Sequence, residues 1–268
     1  MSFAIAGKTA IVTGSANGIG LAIARHFVAM GANVMFADMD EDRLDAEVGK
    51  EARAEGNVRM FAGDLREKLT INNLLSATMD AFDAVDILVN ASRQVLLSDP
   101  LDPDADAVEA LLEQNLLTGL RLTQMTARRM IHHAEKAGKE GPIGSIVNLS
   151  SIAAQRVQSK MMGYSISCAA VEAMTRSMAV ALAPKGIRVN AVAFGSLMSA
   201  SLQAVLKDSP DYQQAIIDGT PLHRIAGAND LAETVQFLAS DAAAFITGQI
   251  ITVDGGRSLL DVVRAAAH

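Results

Sequence analysis

The sequence predicts a doubly wound α/β domain: one parallel sheet of about seven strands with helices on both faces. Short apolar runs alternate with longer stretches of helical period along all 268 residues, the pattern of strand–helix repetition. Several runs are continuously apolar rather than alternating, so both faces of their sheet must be covered. No repeat, linker or low-complexity segment breaks the pattern, so residues 1–268 read as a single domain.

Each element follows from its own residues. Residues 8–13 form a buried strand, a glycine cluster follows, and 21–30 carry apolar residues at helical spacing. Strands are expected at 33–37, ending at Asp38, and at 58–62, ending near Asp64. A helix rich in Ala, Glu and Arg is expected between them at 41–55. Further strands fall at 85–89, 145–149, 188–193 and 249–253, with long helices at 107–137 and 163–183. The polar stretch 132–142 is expected as a surface turn. Residues 196–219 have no strand of their own and follow a strand's carboxyl end, where ligands bind in open α/β sheets. They are a candidate substrate lid.

Composition narrows the function classes. Half the residues are apolar and 20% charged, which excludes disorder. A net charge of −7 argues against nucleic acid as a partner, since a phosphate-backbone binder needs a basic face. The one cysteine, Cys168, forms no internal disulfide and fits a reducing compartment. There is no basic segment followed by an apolar one at the N-terminus. No apolar run reaches the roughly 18 residues of a membrane span. The expectation is a cytoplasmic protein without a membrane partner. Thirteen Met and no Trp imply a core filled with flexible side chains. His132 and His133 are adjacent and have no ligand cluster beside them, so no metal site is expected.

The glycine cluster is the first chemical signal. Thr13-Gly14-Ser15-Ala16-Asn17-Gly18-Ile19-Gly20 joins the first strand to the first helix. Glycines there permit a tight turn and close backbone approach, and the helix N-terminus directs free N–H groups at a pyrophosphate. Asp38 ends the second strand and is followed by Met39. A carboxylate there accepts both ribose hydroxyls of an adenosine and repels a 2′-phosphate, which points to NAD rather than NADP. Asp64 either contacts the adenine or caps the next segment.

These residues, together with Asp64-Leu65, Asn90-Ala91, Asn115, Asn148-Leu149-Ser150-Ser151, Tyr164, Arg188-Val189-Asn190-Ala191 and Asp254-Gly255-Gly256, resemble the short-chain dehydrogenase/reductase family over almost the whole chain. The resemblance implies a Rossmann-like domain of seven parallel strands. It implies hydride transfer between NAD(H) and a small ketone, 3-oxoacyl compound or secondary alcohol. It also implies a homotetramer or homodimer. Developing charge on a carbonyl oxygen needs a donor and a proton source. By resemblance Ser151 is the donor, Tyr164 the acid/base, and Asn115 bends its helix and supports a proton relay. Cofactor contacts are expected at Gly14, Ser15, Asn17, Gly18, Ile19, Gly20, Asp38, Met39, Asp64, Leu65, Asn90, Ala91, Tyr164, Gly195, Leu197 and Ser199.

Three positions depart from the family pattern. Cys168 stands four residues after Tyr164, where the family has a lysine whose charge lowers the tyrosine pKa and which binds the nicotinamide ribose. Ser92 stands where Gly is usual, and Phe194 where Pro is usual. A neutral thiol supplies no charge, and Lys160 is expected in the loop ahead of the helix. No basic partner is recognisable beside Cys168. Turnover is therefore expected to be impaired, more in alcohol oxidation than in carbonyl reduction. The alternative is an NAD-binding scaffold or sensor with little or no redox turnover. A purely structural partner protein explains the glycine loop poorly.

Overall fold

A computed structural model describes residues 3–54, 56–209 and 211–261. The strands are β1 Thr9–Thr13, β2 Asn33–Asp38, β3 Val58–Ala62, β4 Ile87–Asn90, β5 Gly144–Ser151, β6 Ile187–Phe194 and β7 Ile250–Val253. All pair in parallel, in the order β3-β2-β1-β4-β5-β6-β7. The expected strands are present, within one to two residues at their ends. The helices are α1 Gly18–Ala29, α2 Glu41–Arg53, α3 Lys68–Phe82, α4 Val108–Leu111, α5 Thr118–Lys136, α6 Met162–Leu182, α7 Ala200–Asp208, α8 Asp211–Asp218 and α9 Ala228–Ala239. The expected end of α2 at Glu55, the ends of the 1–268 span and position 210 of the candidate lid lie outside the described residues.

Alternate residues of each strand feed opposite layers. Ala10, Val12, Val34 and Phe36 pack with Ile23 and Phe27 of α1 and with Leu231 and Val235 of α9. Ile11, Met35, Leu88 and Ile146 pack with Leu74 of α3, Leu122 of α5 and Ala179 of α6. Helix dipoles and side chains add little to this division, because burial of two apolar sheet faces already requires it.

Four features differ from the sequence reading. Helices α3 and α9 are additional to it, and both cover the sheet through short apolar sets (Ile71, Leu74, Leu75; Leu231, Val235, Leu238). The single helix expected at 107–137 is α4, a π-helical stretch Leu112–Leu117, and α5 in succession. Residues 132–136 are helical, so the surface turn begins only after Lys136. The segment Ser159–Lys185 is long and apolar enough to cross a membrane by length and composition. Ser, Thr and Gly interrupt it, so it escapes a search for unbroken apolar runs. In the fold, Tyr164, Cys168 and Val171 on this segment are buried, and the helix packs on β5 and β6.

The parallel register brings Thr13, Asp38, Asn90, Ser151 and Phe194 to one edge of the sheet. Strand order reverses between β1 and β4, and the crevice at such a point receives ligands in open sheets. Phe27 is fully buried beneath this edge's supporting layer. Phe27→Ala is expected to cost about 3–5 kcal/mol, read as a lowered midpoint in urea denaturation.

Candidate active site

The glycine loop leaves β1 with almost no room for side chains. Gly14 has φ +66°, and a Cβ there would lie 2.7 Å from the Ser92 Cα. At Gly20 the same atom would lie 2.1 Å from the Gly14 carbonyl oxygen. Thr13 fastens the loop from below. Its hydroxyl accepts from the backbone N–H groups of Ala91 and Ser92, both at 3.1 Å. The N-terminus of α1 has no side-chain cap at Asn17 and no acid in its first turn, so its dipole and amides are open to an anion. Ile19 is half-buried behind it.

Asp38 closes the other side of this cradle. Its Oδ2 accepts from the Ala16 N–H at 2.9 Å and its Oδ1 from the Asp40 N–H at 3.1 Å. A carboxylate has about four lone-pair sites, so these two bonds leave capacity for a diol. Ser15 donates weakly to the Ala37 carbonyl at 3.4 Å. Met39 is 63% exposed, and Arg43 on α2 is paired with Asp40. These residues fit the adenosine diphosphate half of a dinucleotide. Asp64 instead forms an ion pair with Arg66, whose hydrogen bonds hold its carboxyl below the usual range. Leu65 behind it is buried.

Asn90 turns inward. Its amide donates to Asn148 Oδ1 at 2.8 Å and Thr123 Oγ1 at 3.1 Å. Asn148 donates onward to Thr175 on α6 at 2.9 Å. This side-chain ladder ties β4 to β5, α5 and α6. Ala91 is buried beside it.

At the end of β5, Ser151 donates to the Phe194 carbonyl at 3.4 Å and accepts from the Ala153 N–H at 3.2 Å. Ser151 is also among the groups that act to lower the pKa of Tyr164, near the start of α6. Asn115 lies within the π-helical stretch. Its Oδ1 accepts from the Gln94 N–H at 2.8 Å, and its Nδ2 donates to the Gln94 carbonyl and the Ser167 hydroxyl, both at 3.0 Å. The neighbouring Gln114 donates to the Ser92 hydroxyl at 3.1 Å. The π-helical stretch thus clamps the connection after β4.

That connection carries a residue the sequence reading missed. Arg93 donates from Nη1 to the Tyr164 hydroxyl. Its guanidinium lies 4.2 Å from the centroid of the Phe194 ring and 5.8 Å from that of Tyr164. The expectation that no basic partner stands beside Cys168 is thereby corrected, since Arg93 also acts on that thiol. The partner comes from another loop rather than from α6. Burial pushes the Tyr164 phenol up to about 12, while Arg93 and Ser151 act to lower it. Burial likewise pushes the Cys168 thiol up, so it stays neutral. Lys160 sits in the turn ahead of α6, where its carbonyl accepts from the Ser98 N–H at 2.9 Å. A cavity of about 20 Å³ separates these groups, bordered by Thr13, Asn90, Arg93, Asn115, Tyr164 and Cys168.

On the far side, Gly195 packs its backbone close to Asp254, 3.0 Å from a would-be Cβ. Leu197 is buried and bridges to Ala226. The Ser199 hydroxyl accepts from the Leu202 N–H at 3.2 Å, at the start of α7, as an N-cap does. The stretch 196–219, strandless as expected, carries two short helices, α7 and α8.

With the cradle, the surroundings of Tyr164 and the sheet edge in place, comparison with known proteins becomes informative. A family model described as Enoyl-(Acyl carrier protein) reductase matches residues 14–258. The chain belongs to the short-chain dehydrogenase/reductase family. It is 34% identical over 251 residues to 7α-hydroxysteroid dehydrogenase of Escherichia coli (strain K12), covering 93% of this chain and 94% of that one. It is 36% identical over 265 residues to cis-4-hydroxycyclohexanecarboxylate dehydrogenase of Sinomonas cyclohexanicum, covering 96% and 98%. A solved 7α-hydroxysteroid dehydrogenase, complexed with NADH and 7-oxo glycochenodeoxycholic acid, superposes with a TM-score of 0.85 at 31% identity, covering 95% and 96%. The chain is thus an oxidoreductase of this family with its Rossmann-like fold.

Gly14→Ala forces a side chain into left-handed backbone and against Ser92. Its φ alone is expected to cost about 1–3 kcal/mol, and a calorimetric titration is expected to show weakened dinucleotide binding.

Proposed function

We propose that this chain transfers a hydride between NAD(H) and a small ketone, 3-oxoacyl compound or secondary alcohol. The observation that carries the reading is the glycine cradle closed by Asp38, beside a cavity that Tyr164 borders together with Thr13 and Asn90. Bound NAD(H) supplies or accepts the hydride. The backbone of Gly14, Ser15, Asn17, Gly18, Ile19 and Gly20 would hold its diphosphate, and Asp38 beside Met39 its adenosine ribose. Leu65, Asn90 and Ala91 would line the adenosine side, with Asp64 tied up by Arg66. Gly195, Leu197 and Ser199 would line the nicotinamide side. Relatives that act on a hydroxysteroid and on a 3-oxoacyl-[acyl-carrier-protein] support the substrate class.

Ser151 orients the substrate oxygen by hydrogen bonding, and Tyr164 exchanges the proton with it. Asn115 ties Gln94 of the connection after β4 to Ser167 on α6. Residues 196–219 form a lid over the reacting end. Cytoplasmic location and assembly as a homotetramer or homodimer complete the reading.

Direction follows from protonation. A phenol raised to about 12 keeps its proton at neutral pH, so it is ready as an acid and scarce as a base. Carbonyl reduction is expected to be nearly independent of pH between about 6 and 9. Alcohol oxidation should rise about tenfold per pH unit over that range. Tyr164→Phe is expected to lower kcat by about 10²–10⁴-fold while NADH still binds by calorimetry. A chain that only binds NAD would show no turnover for Tyr164→Phe to remove.

Asp38 sets cofactor choice in this reading. Asp38→Ser with Met39→Arg is expected to shift the NADPH-to-NADH ratio of kcat/KM by about tenfold or more, since an arginine accommodates the 2′-phosphate. An unchanged ratio would remove Asp38 from cofactor selection.

A further inference from the structure

We propose that Arg93 is the positioning cation for Tyr164: reaching in from the connection after β4 and resting on the Phe194 ring, it takes over the charge that neutral Cys168 does not supply from α6. This rests on the hydride-transfer reading above for its consequence in catalysis, but its geometry is independent of that reading.

Three departures from the usual family residues meet in one assembly. Cys168, one turn beyond Tyr164 on α6, is small and buried, and leaves the phenol without a cation from its own helix. Phe194, at the end of β6, offers a ring face 4.2 Å from the guanidinium, the arrangement in which an aromatic quadrupole attracts a cation. Ser92 gives the preceding residue a hydroxyl that Gln114 grips at 3.1 Å. Asn115 fixes Gln94 on the other side through two backbone hydrogen bonds. Arg93 is thus held at both flanking residues and on its own side chain. A planar guanidinium suits this stacked setting better than an ammonium would.

The groups facing Tyr164 are few. Ser151 on β5 and Arg93 stabilise its charged form, and Cys168 opposes it when ionised. Glu172, the next acid along α6, is engaged by Ser150 and Arg176. Among the described residues, Arg93 is the cation that acts on this phenol. When Tyr164 gives its proton to a substrate oxygen, the O–H bond breaks and the electron pair stays on Oη, facing the Nη1–H donor of Arg93. A proton from water restores the phenol afterwards. The guanidinium remains charged throughout.

The chain has two tyrosines and no tryptophan, so the phenol can be titrated directly by its ultraviolet absorbance without cofactor or substrate. In Tyr212→Phe protein, with a fluorinated and more acidic tyrosine incorporated at position 164, the midpoint falls where the fold holds. Arg93→Gln is expected to raise that midpoint by about 1–3 pH units, and Arg93→Lys by less. The alkaline limb of alcohol oxidation should move in the same order. An unmoved midpoint in Arg93→Gln, or an equal rise in Arg93→Lys, would overturn the proposal. Should Arg93→Gln not fold, Phe194→Leu removes the platform and keeps the charge; it is expected to raise the midpoint by a smaller amount, and no rise overturns the proposal. Since the titration needs no bound dinucleotide, failure to bind NADH would sink the hydride-transfer reading and leave this result standing.

Discussion

A parallel sheet buried on both faces confines its polar chemistry to the ends of its strands. Every interior position of β1 is buried, and β5 is buried from its second residue to its last. Polar groups in such strands must find partners there, since an unsatisfied one costs about 1–3 kcal/mol. Residues at and just beyond the strand ends are the ones free to serve a ligand. The shared direction of all seven strands then collects these residues on one edge. Thr13, Asp38, Asn90, Ser151 and Phe194 share that edge because each closes its strand on the same side of the sheet.

The edge would splay without fasteners between loops, and the fasteners are polar. Thr13 holds the backbone of Ala91 and Ser92 with one hydroxyl. The ladder from Asn90 through Asn148 to Thr175 carries the same tension across the sheet to α6. The π-helical stretch supplies the last bonds, through Gln114 and Asn115. Such an interruption of α-helical pairing costs stability and is common at functional sites. Here it turns two consecutive amide side chains toward one connection.

Much of this was legible in the residues. The strands declared themselves as apolar runs, and the glycine loop and Asp38 stood where a βαβ unit places them. Ser151 and Tyr164 were singled out by the family resemblance, and the structure places one at a strand end and the other near a helix start. The rest depends on contacts far apart in sequence. Helices α3 and α9 were missed because their apolar sets are short and mixed with polar residues. The amphipathic pattern through 107–137 gives no sign that hydrogen bonding shifts register at Leu112–Leu117. Arg93 was missed because a loop arginine has no periodic signature, and its partners lie on β6 and α6. A signal did exist: an arginine beside the strand end, in a chain with an aromatic at 194 and a thiol at 168, forms a complementary set.

A lysine on α6 would ride with Tyr164 on one rigid rod, so its influence could not vary. An arginine borne by a separate connection is different. Its hold on the phenol depends on the amide clasps of Gln114 and Asn115 and on the ring beneath it. The surroundings of the Tyr164 hydroxyl are therefore a property of how three segments are seated against each other, so breathing of the β4–α4 connection would change the contact that Arg93 makes with it.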